Sequence, residues 1–342
     1  MEKVKDQIHE ENYSIYNGDC MNVISTFKDE SIDLCIYSPP FANLYTYSSD
    51  VRDLSNVSNN DEFLNQFEFL VKELSRVTKK GRINALHVTD FCQVNGTLLD
   101  FPSEIIKLYK KHGFEYKNRI TVWKEPLKVR IRTMVQSLMH KFIVEDSTKC
   151  FTANPDYILV FKKKGENEVP VKHKFGLSYY AGSKPILQEM LNAWNNYKEN
   201  PKFKSTSELW DYLCKNDDPN KITKKNHYIW QRYASSVWDD VREGHCLEFK
   251  DSKEDDDEKH VTPTQLDVLD RLVDLYSNPN EIVLSPFMGV GTDVYSPVSL
   301  GRKAIGIELK DSYFKQAKIN LQLAKNRFKD DVKQVSILDE LK

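Results

Sequence analysis

The chain has 342 residues, 40% of them hydrophobic and 29% charged, which excludes an extended disordered chain and leaves room for a full catalytic core plus a smaller inserted module. A formal charge of -2 at pH 7 excludes a surface that attracts polyanions everywhere, so nucleic-acid contact must come from a local basic cluster. The six cysteines form no C-x-x-C pair and have no His at metal-ligand spacing, and no apolar run is long enough for a signal region or a bilayer span. These features predict a cytoplasmic protein with reduced thiols, mostly buried, and with no metal.

In chain order, Tyr13–Tyr16 reads as a strand, Met21–Phe27 as a helix and Ile32–Tyr37 as a second strand. Phe63, Phe67, Leu70, Val71, Leu74 and Val77 recur at the helical period, and Gly81 is expected to stop that helix. A strand over Ile83–Val88, a helix over about 103–111, a strand within Phe114–Trp123 and a strand over Tyr157–Phe161 follow. Between Lys107 and Lys141 ten Lys and Arg face two acids, a cluster able to meet phosphates. Residues 166–258 have weak periodicity and end in the acidic DSKEDDDEK, as an insertion with a solvated linker would. After it come a helix over Thr264–Tyr276, a strand over Glu281–Leu284, a Gly-rich turn, a short helix that Pro297 should kink, a strand over Lys303–Ile307 and a last helix over about 312–325. Strands alternating with helices predict an α/β, doubly wound, Rossmann-like sheet.

Three motifs carry chemistry. In EIVLSPFMGVGT, Gly289 and Gly291 follow an apolar strand and precede a helix, and the next strand ends at Glu308. Glycines there admit a ligand close to the backbone, and an acid about 20 residues on suits ribose hydroxyls. No Lys follows the glycines, which excludes a P-loop, and the missing third glycine argues against NAD or FAD. The second motif, Ser38-Pro39-Pro40-Phe41, directly follows the strand IDLCIY and forms a rigid extended loop at its carboxyl end. The Ser38 oxygen and the Pro39 carbonyl could accept from the N–H groups of an exocyclic amine, whose lone pair is otherwise delocalised into the base, and Phe41 could stack an extruded base. The third is Gly18-Asp19, which closes the first strand on the same edge; Asp19 could accept from an adenine amine or cap the next helix, or do both.

The order YNGDC, YSPPF, HVTPTQLDVLDRLV, VLSPFMGVGT and GRKAIGIEL resembles the β-class DNA amino-methyltransferases, in particular phage and prophage methylases with an SPPF loop. The likeness covers about residues 13–162 and 228–325. It implies S-adenosylmethionine as cofactor and DNA as partner, with no metal and no membrane. Residues 1–165 would be the catalytic half, 259–342 the cofactor half and 166–258 an inserted target-recognition region. By the same resemblance Ser38, Pro39, Pro40 and Phe41 form the catalytic loop and Asp19 holds the cofactor adenine. Phe287, Gly289 and Gly291 form the cofactor turn, Glu308 binds the ribose, and Thr264 with Gln265 lies against the methionine moiety. Most of the class has Asp where this chain has Ser285, which is expected to weaken the hold on the cofactor's charged end.

A leading Ser in the loop is associated more with N4 of cytosine, and Asp or Asn with N6 of adenine. N4-cytosine methylation is therefore the expectation, with N6-adenine as the nearest rival, and an RNA or small-molecule methyltransferase or a decayed DNA-binding module as further ones. The absence of a Pro-Cys nucleophile argues against carbon-5 chemistry. Lys128, Arg130, Arg132 and Lys141, together with Trp230 and Arg232 in YIWQRYASSVWDD, are the candidate DNA contacts. The recognised site and the oligomeric state stay open.

Overall fold

The computed structural model describes residues 4–40, 60–92, 97–133, 139–150, 152–249, 252, 263–322 and 324. Among them, one sheet of nine strands runs in the order β1 (Asp6–His9), β2 (Tyr13–Asn17), β11 (Lys303–Glu308), β10 (Ile282–Ser285), β3 (Ile32–Tyr37), β4 (Thr78–Thr89), β8 (Asp156–Lys163), β7 (Phe114–Val122) and β9 (Val237–Trp238). A ribbon of β5 (Phe91–Cys92) and β6 (Leu98–Leu99) stands apart from it. β2, β11, β10, β3 and β4 are parallel, whereas β1 and β8 run against their neighbours. The expected wound sheet is thus a mixed one.

Both faces are covered, which is why β3 is buried along its whole length and apolar at every position but Asp33. On one face α1 (Cys20–Ile24), α2 (Asn60–Val77) and α3 (Phe101–Lys111) pack with Cys35, Tyr37, Leu86 and Leu159 into one core. The six apolar residues recurring along α2 are all fully buried. On the other face α9 (Leu266–Tyr276) covers Leu34, Ile36, Ala85 and Val283. α10 (Thr292–Ser299) and α11, residues 311–322, close a third core around Ile15, Met288 and Ala304.

Two chain paths diverge from the centre of this sheet. β3 crosses through α2 to β4 on one side, and β10 crosses through α10 to β11 on the other, with the helices on opposite faces. Adjacent parallel strands whose connections leave in opposite directions open a crevice at their carboxyl ends. Leu284 pairs with Cys35, so the loops after β3 and β10 flank that crevice.

Several expectations are corrected in detail. α2 ends at Val77 and β4 starts at once, so Gly81 does not stop the helix; it lies inside β4 at φ 72°. Of the five described thiols only Cys20 and Cys35 are buried, with Cys214 exposed.

Residues 166–249 hold α6 (Gln188–Asn196), α7 (Thr206–Lys215) and α8 (Lys224–Tyr233) around Leu191, Trp194, Leu209 and Leu213. This segment is stitched to the sheet, because β9 pairs with the end of β7 and buried Trp238 joins the core under α9. The fully buried Arg271 of α9 completes the join: it bonds Asp240 and the Ala181 carbonyl and lies within 5.5 Å of the ring centres of Tyr180, Tyr233 and Trp238. No described helix is long and apolar enough to cross a membrane.

Candidate active site

At the end of β10, Gly289 (φ 54°) and Gly291 (φ 93°) turn the chain into α10 through left-handed conformations that a side chain rarely adopts. A Cβ on Gly289 would meet nothing within 4 Å, so the turn faces open space, while a Cβ on Gly291 would come 3.1 Å from the Ala317 Cβ. Phe287 beside the turn lies 5.7 Å from the ring of Tyr37 at the end of β3. Glu308 ends the neighbouring strand β11: Oε2 accepts from Gly289 N at 3.0 Å and Oε1 from Lys310 N at 2.8 Å. One carboxylate therefore ties the turn after β10 to the end of β11.

Asp19 closes β2 beside them and caps α1 by accepting from Met21 N at 2.8 Å. Asn17, a residue not singled out in the sequence, ties these strand ends together by donating to the carbonyls of Glu308 and Leu309. Thr264 and Gln265 precede α9 on the same edge. Gln265 Oε1 and Thr292 Oγ1 are buried without a hydrogen-bond partner among the described residues. Unpaired buried polar groups on the edge that carries an open glycine turn and a strand-end carboxylate fit a polar nucleoside cofactor.

Ser38, Pro39 and Pro40 continue from β3 into this crevice, with Ser38 and Pro40 half-buried; Phe41 lies outside the described residues. Ser38 Oγ donates to the carbonyl of His87 at 3.0 Å. Its only proton is thus engaged and its lone pairs remain free to accept. The His87 ring in turn has Nδ1 3.4 Å from Thr264 Oγ1 and Nε2 3.0 Å from Asp156 Oδ2. Asp156 also takes a hydrogen bond from Lys124. Burial alone would raise the Asp156 carboxyl, but His87 and Lys124 outweigh it and hold it well below the usual carboxylate range.

His87, Asp156 and Lys124 were not anticipated. Asp156 begins an antiparallel strand, and that places its first residue on the rim formed by the last residues of the parallel ones. A cleft of about 320 Å³ opens here, lined by Trp123, Lys124, Lys128, Asp156, Glu243 and Gln265 among others.

Ser285 is fully buried at the end of β10 and donates from Oγ to Asp293 Oδ2 at 2.8 Å. Asp293 on α10 thus brings a carboxylate to the Ser285 side chain. Burial pushes the Asp293 carboxyl up to about 7, against the lowering effect of the Ser285 hydrogen bond.

The candidate DNA contacts divide. Lys128 and Arg130 stand on α4 (Pro126–Thr133), just past the carboxyl end of β7, and Lys128 Nζ is 3.4 Å from Glu243. Arg132 is on the same helix with its side chain outside the described residues. Lys141 is exposed on α5 (His140–Glu145), and Trp230 is exposed on α8. Arg232 is corrected from the expectation of surface contact: it is buried and paired with Asp239 and Asp240, so its charge is used internally. Lys107 and Lys111 sit before β7, on the opposite edge of the sheet, and pair with Glu104 and Glu68. The basic run in the sequence is therefore not one patch.

A wound sheet with a glycine turn and a proline loop on adjacent strands at its switch point has the architecture of a nucleoside-cofactor site. The family model described as DNA methylase, for N6 and N4 methyltransferases, matches residues 32–319, and the chain belongs to that family. It is similar to the type II methyltransferase M.BglII of Bacillus subtilis, 24% identical over 87% of this chain and 66% of that one. It is also similar to the DNA adenine methyltransferase YhdJ of Escherichia coli K12, 23% identical over 94% and 87%. Among solved structures the fold resembles the DNA modification methylase TTHA0409 of Thermus thermophilus complexed with S-adenosyl-L-methionine, at TM-score 0.55, 20% identity, and 92% and 95% coverage. The cytosine-N4-specific PvuII DNA methyltransferase matches at TM-score 0.52, 14% identity, and 96% and 95% coverage.

Proposed function

We propose that this protein transfers a methyl group from S-adenosylmethionine to an exocyclic amine of a DNA base, N4 of cytosine by first preference. The observation that carries this reading is the adjacency of β3 and β10, in register at Leu284 and Cys35, which sets the Ser38 loop and the glycine turn on two sides of one crevice. Support for the cofactor comes from the open turn, the Glu308 carboxylate and the unpartnered Gln265 and Thr292, and from a fold shared with a methylase solved with S-adenosyl-L-methionine.

Bound there, the sulfonium supplies an activated methyl group and a neutral thioether leaving group. Asp19 and Glu308 would hold the nucleoside, and Phe287 with Thr264 and Gln265 would border the reactive end. Ser38 Oγ and the Pro39 carbonyl would accept the two N–H bonds of the target amine, favouring a pyramidal nitrogen with its lone pair aimed at the methyl carbon. Phe41 would stack the flipped base, and Lys128, Arg130, Arg132, Lys141 and Trp230 would meet the DNA beside the cleft.

N6-adenine is the second reading, favoured by the likeness to YhdJ across most of the chain. Incubation of purified protein with labelled cofactor and unmethylated DNA tests both: label is expected in duplex DNA and not in structured RNA. A protein that binds the cofactor yet labels neither would be a decayed methylase.

A further inference from the structure

Asp293 is nine-tenths buried, yet no cation pairs with it among the described residues. A carboxylate removed from water without a counter-charge is costly and persists only where something gives it a partner or a proton. The hydrogen bond from Ser285 Oγ occupies Oδ2 and brings the acid to the carboxyl end of β10, the strand that leads into the turn carrying Gly289. The adjoining Thr292 Oγ1 is buried without a hydrogen-bond partner among the described residues.

Resting on the cofactor reading above, we propose that Asp293 receives the ammonium of the cofactor's methionine end, delivered from α10 to the place that Ser285 leaves without an acid. Ser285 then orients the carboxylate through Oδ2 and leaves Oδ1 for the incoming cation.

Among the described residues, the titratable group whose electrostatics Asp293 influences is the Cys35 thiol on β3. Burial drives the Cys35 thiol well above its ordinary range, so it stays neutral near pH 7. With the Asp293 carboxyl pushed up to about 7, cofactor binding at mildly acid pH must expel its proton.

Isothermal calorimetry with S-adenosylmethionine, S-adenosylhomocysteine and methylthioadenosine tests this. Asp293→Asn is expected to weaken the first two alike, by about tenfold to a hundredfold, because both carry the ammonium. Methylthioadenosine, which lacks the amino-acid end, should bind as before. Wild-type affinity for S-adenosylmethionine should fall about twentyfold from pH 7.5 to pH 5.5, with proton release seen as a buffer-dependent heat, and Asp293→Asn should lose both effects. Ser285→Asp added to Asp293→Asn should restore affinity by returning the acid to the strand.

Asp293→Asn should remain folded, and at pH 8 should melt above the wild type. If Asp293→Asn binds S-adenosylmethionine as tightly as the wild type with the same pH profile, the proposal is wrong while the cofactor site stands. Loss for S-adenosylmethionine alone, with S-adenosylhomocysteine binding intact, would also overturn it, by pointing to the sulfonium. Wild-type protein that binds none of the three ligands would remove the cofactor reading itself.

Discussion

Ser38 Oγ and the carbonyl oxygen of His87 are 3.0 Å apart, which pins the loop after β3 to the neighbouring strand β4. The bond orients the hydroxyl so that its lone pairs, not its proton, face the crevice. Ser38→Ala is therefore expected to lower kcat by about a hundredfold while leaving the cofactor dissociation constant within about twofold, as loss of one transition-state contact does. Equal losses in kcat and cofactor affinity would mean that Ser38 holds the loop and not the amine.

Asp156 balances Lys124 and His87 in a largely dry setting, the side chains of Lys124 and Asp156 being 14% and 10% exposed. Asp156→Asn leaves the lysine without its counter-charge and should cost about 3 kcal/mol of stability at pH 7 in urea denaturation. The folded carboxyl lies below its unfolded value, so the stabilisation is complete above about pH 4 and is lost as pH falls through the folded value. The gap between wild type and variant should accordingly shrink in strong acid.

Gly306 of β11 lets the glycine turn after β10 and the start of α10 sit close on the sheet. A Cβ there would fall 2.5 Å from both Met288 Sδ and Val294 Cγ2. Met288 can swing aside, but branched Val294 on α10 cannot do so without moving the helix. Gly306→Ala should weaken S-adenosylmethionine binding by about tenfold or more and lower the melting temperature by several degrees, measured by calorimetry and thermal unfolding.

Arg271 holds the segment from Tyr180 to Asp240 against α9. Replacing it with Leu would strip buried Asp240 of a cation and remove the centre of the Tyr180, Tyr233 and Trp238 cage. About 3–5 kcal/mol of destabilisation is expected. Limited proteolysis should then cut first within residues 166–240 while the sheet stays protected.

Much of this architecture is legible in the sequence. The buried stripe of α2, the strands β3 and β10 with their loops, and the carboxyl-edge placement of Asp19, Ser38 and Glu308 all follow from local pattern, because burial on both sheet faces and helical periodicity act over a few residues. The polarity of β8 is decided by distant pairing, so the meeting of Asp156 with His87 and Lys124 could not be read locally. Arg232 misled for a related reason: in YIWQRY an arginine beside aromatics looks like a nucleic-acid contact, but α8 turns it toward Asp239 and Asp240. The Ser285 departure read as a loss, since the sequence separates it by a turn from the Asp293 carboxylate that it bonds.

The most direct measurement is digestion of the product DNA to nucleosides, followed by mass spectrometry, after incubation of wild type and Ser38→Ala with S-adenosylmethionine. N4-methylcytosine is predicted from the wild type and about a hundredth of that rate from the variant. N6-methyladenine in its place would contradict the choice of base, and a methylated amine formed equally fast by both proteins would contradict the assignment of the Ser38 loop as the catalytic one.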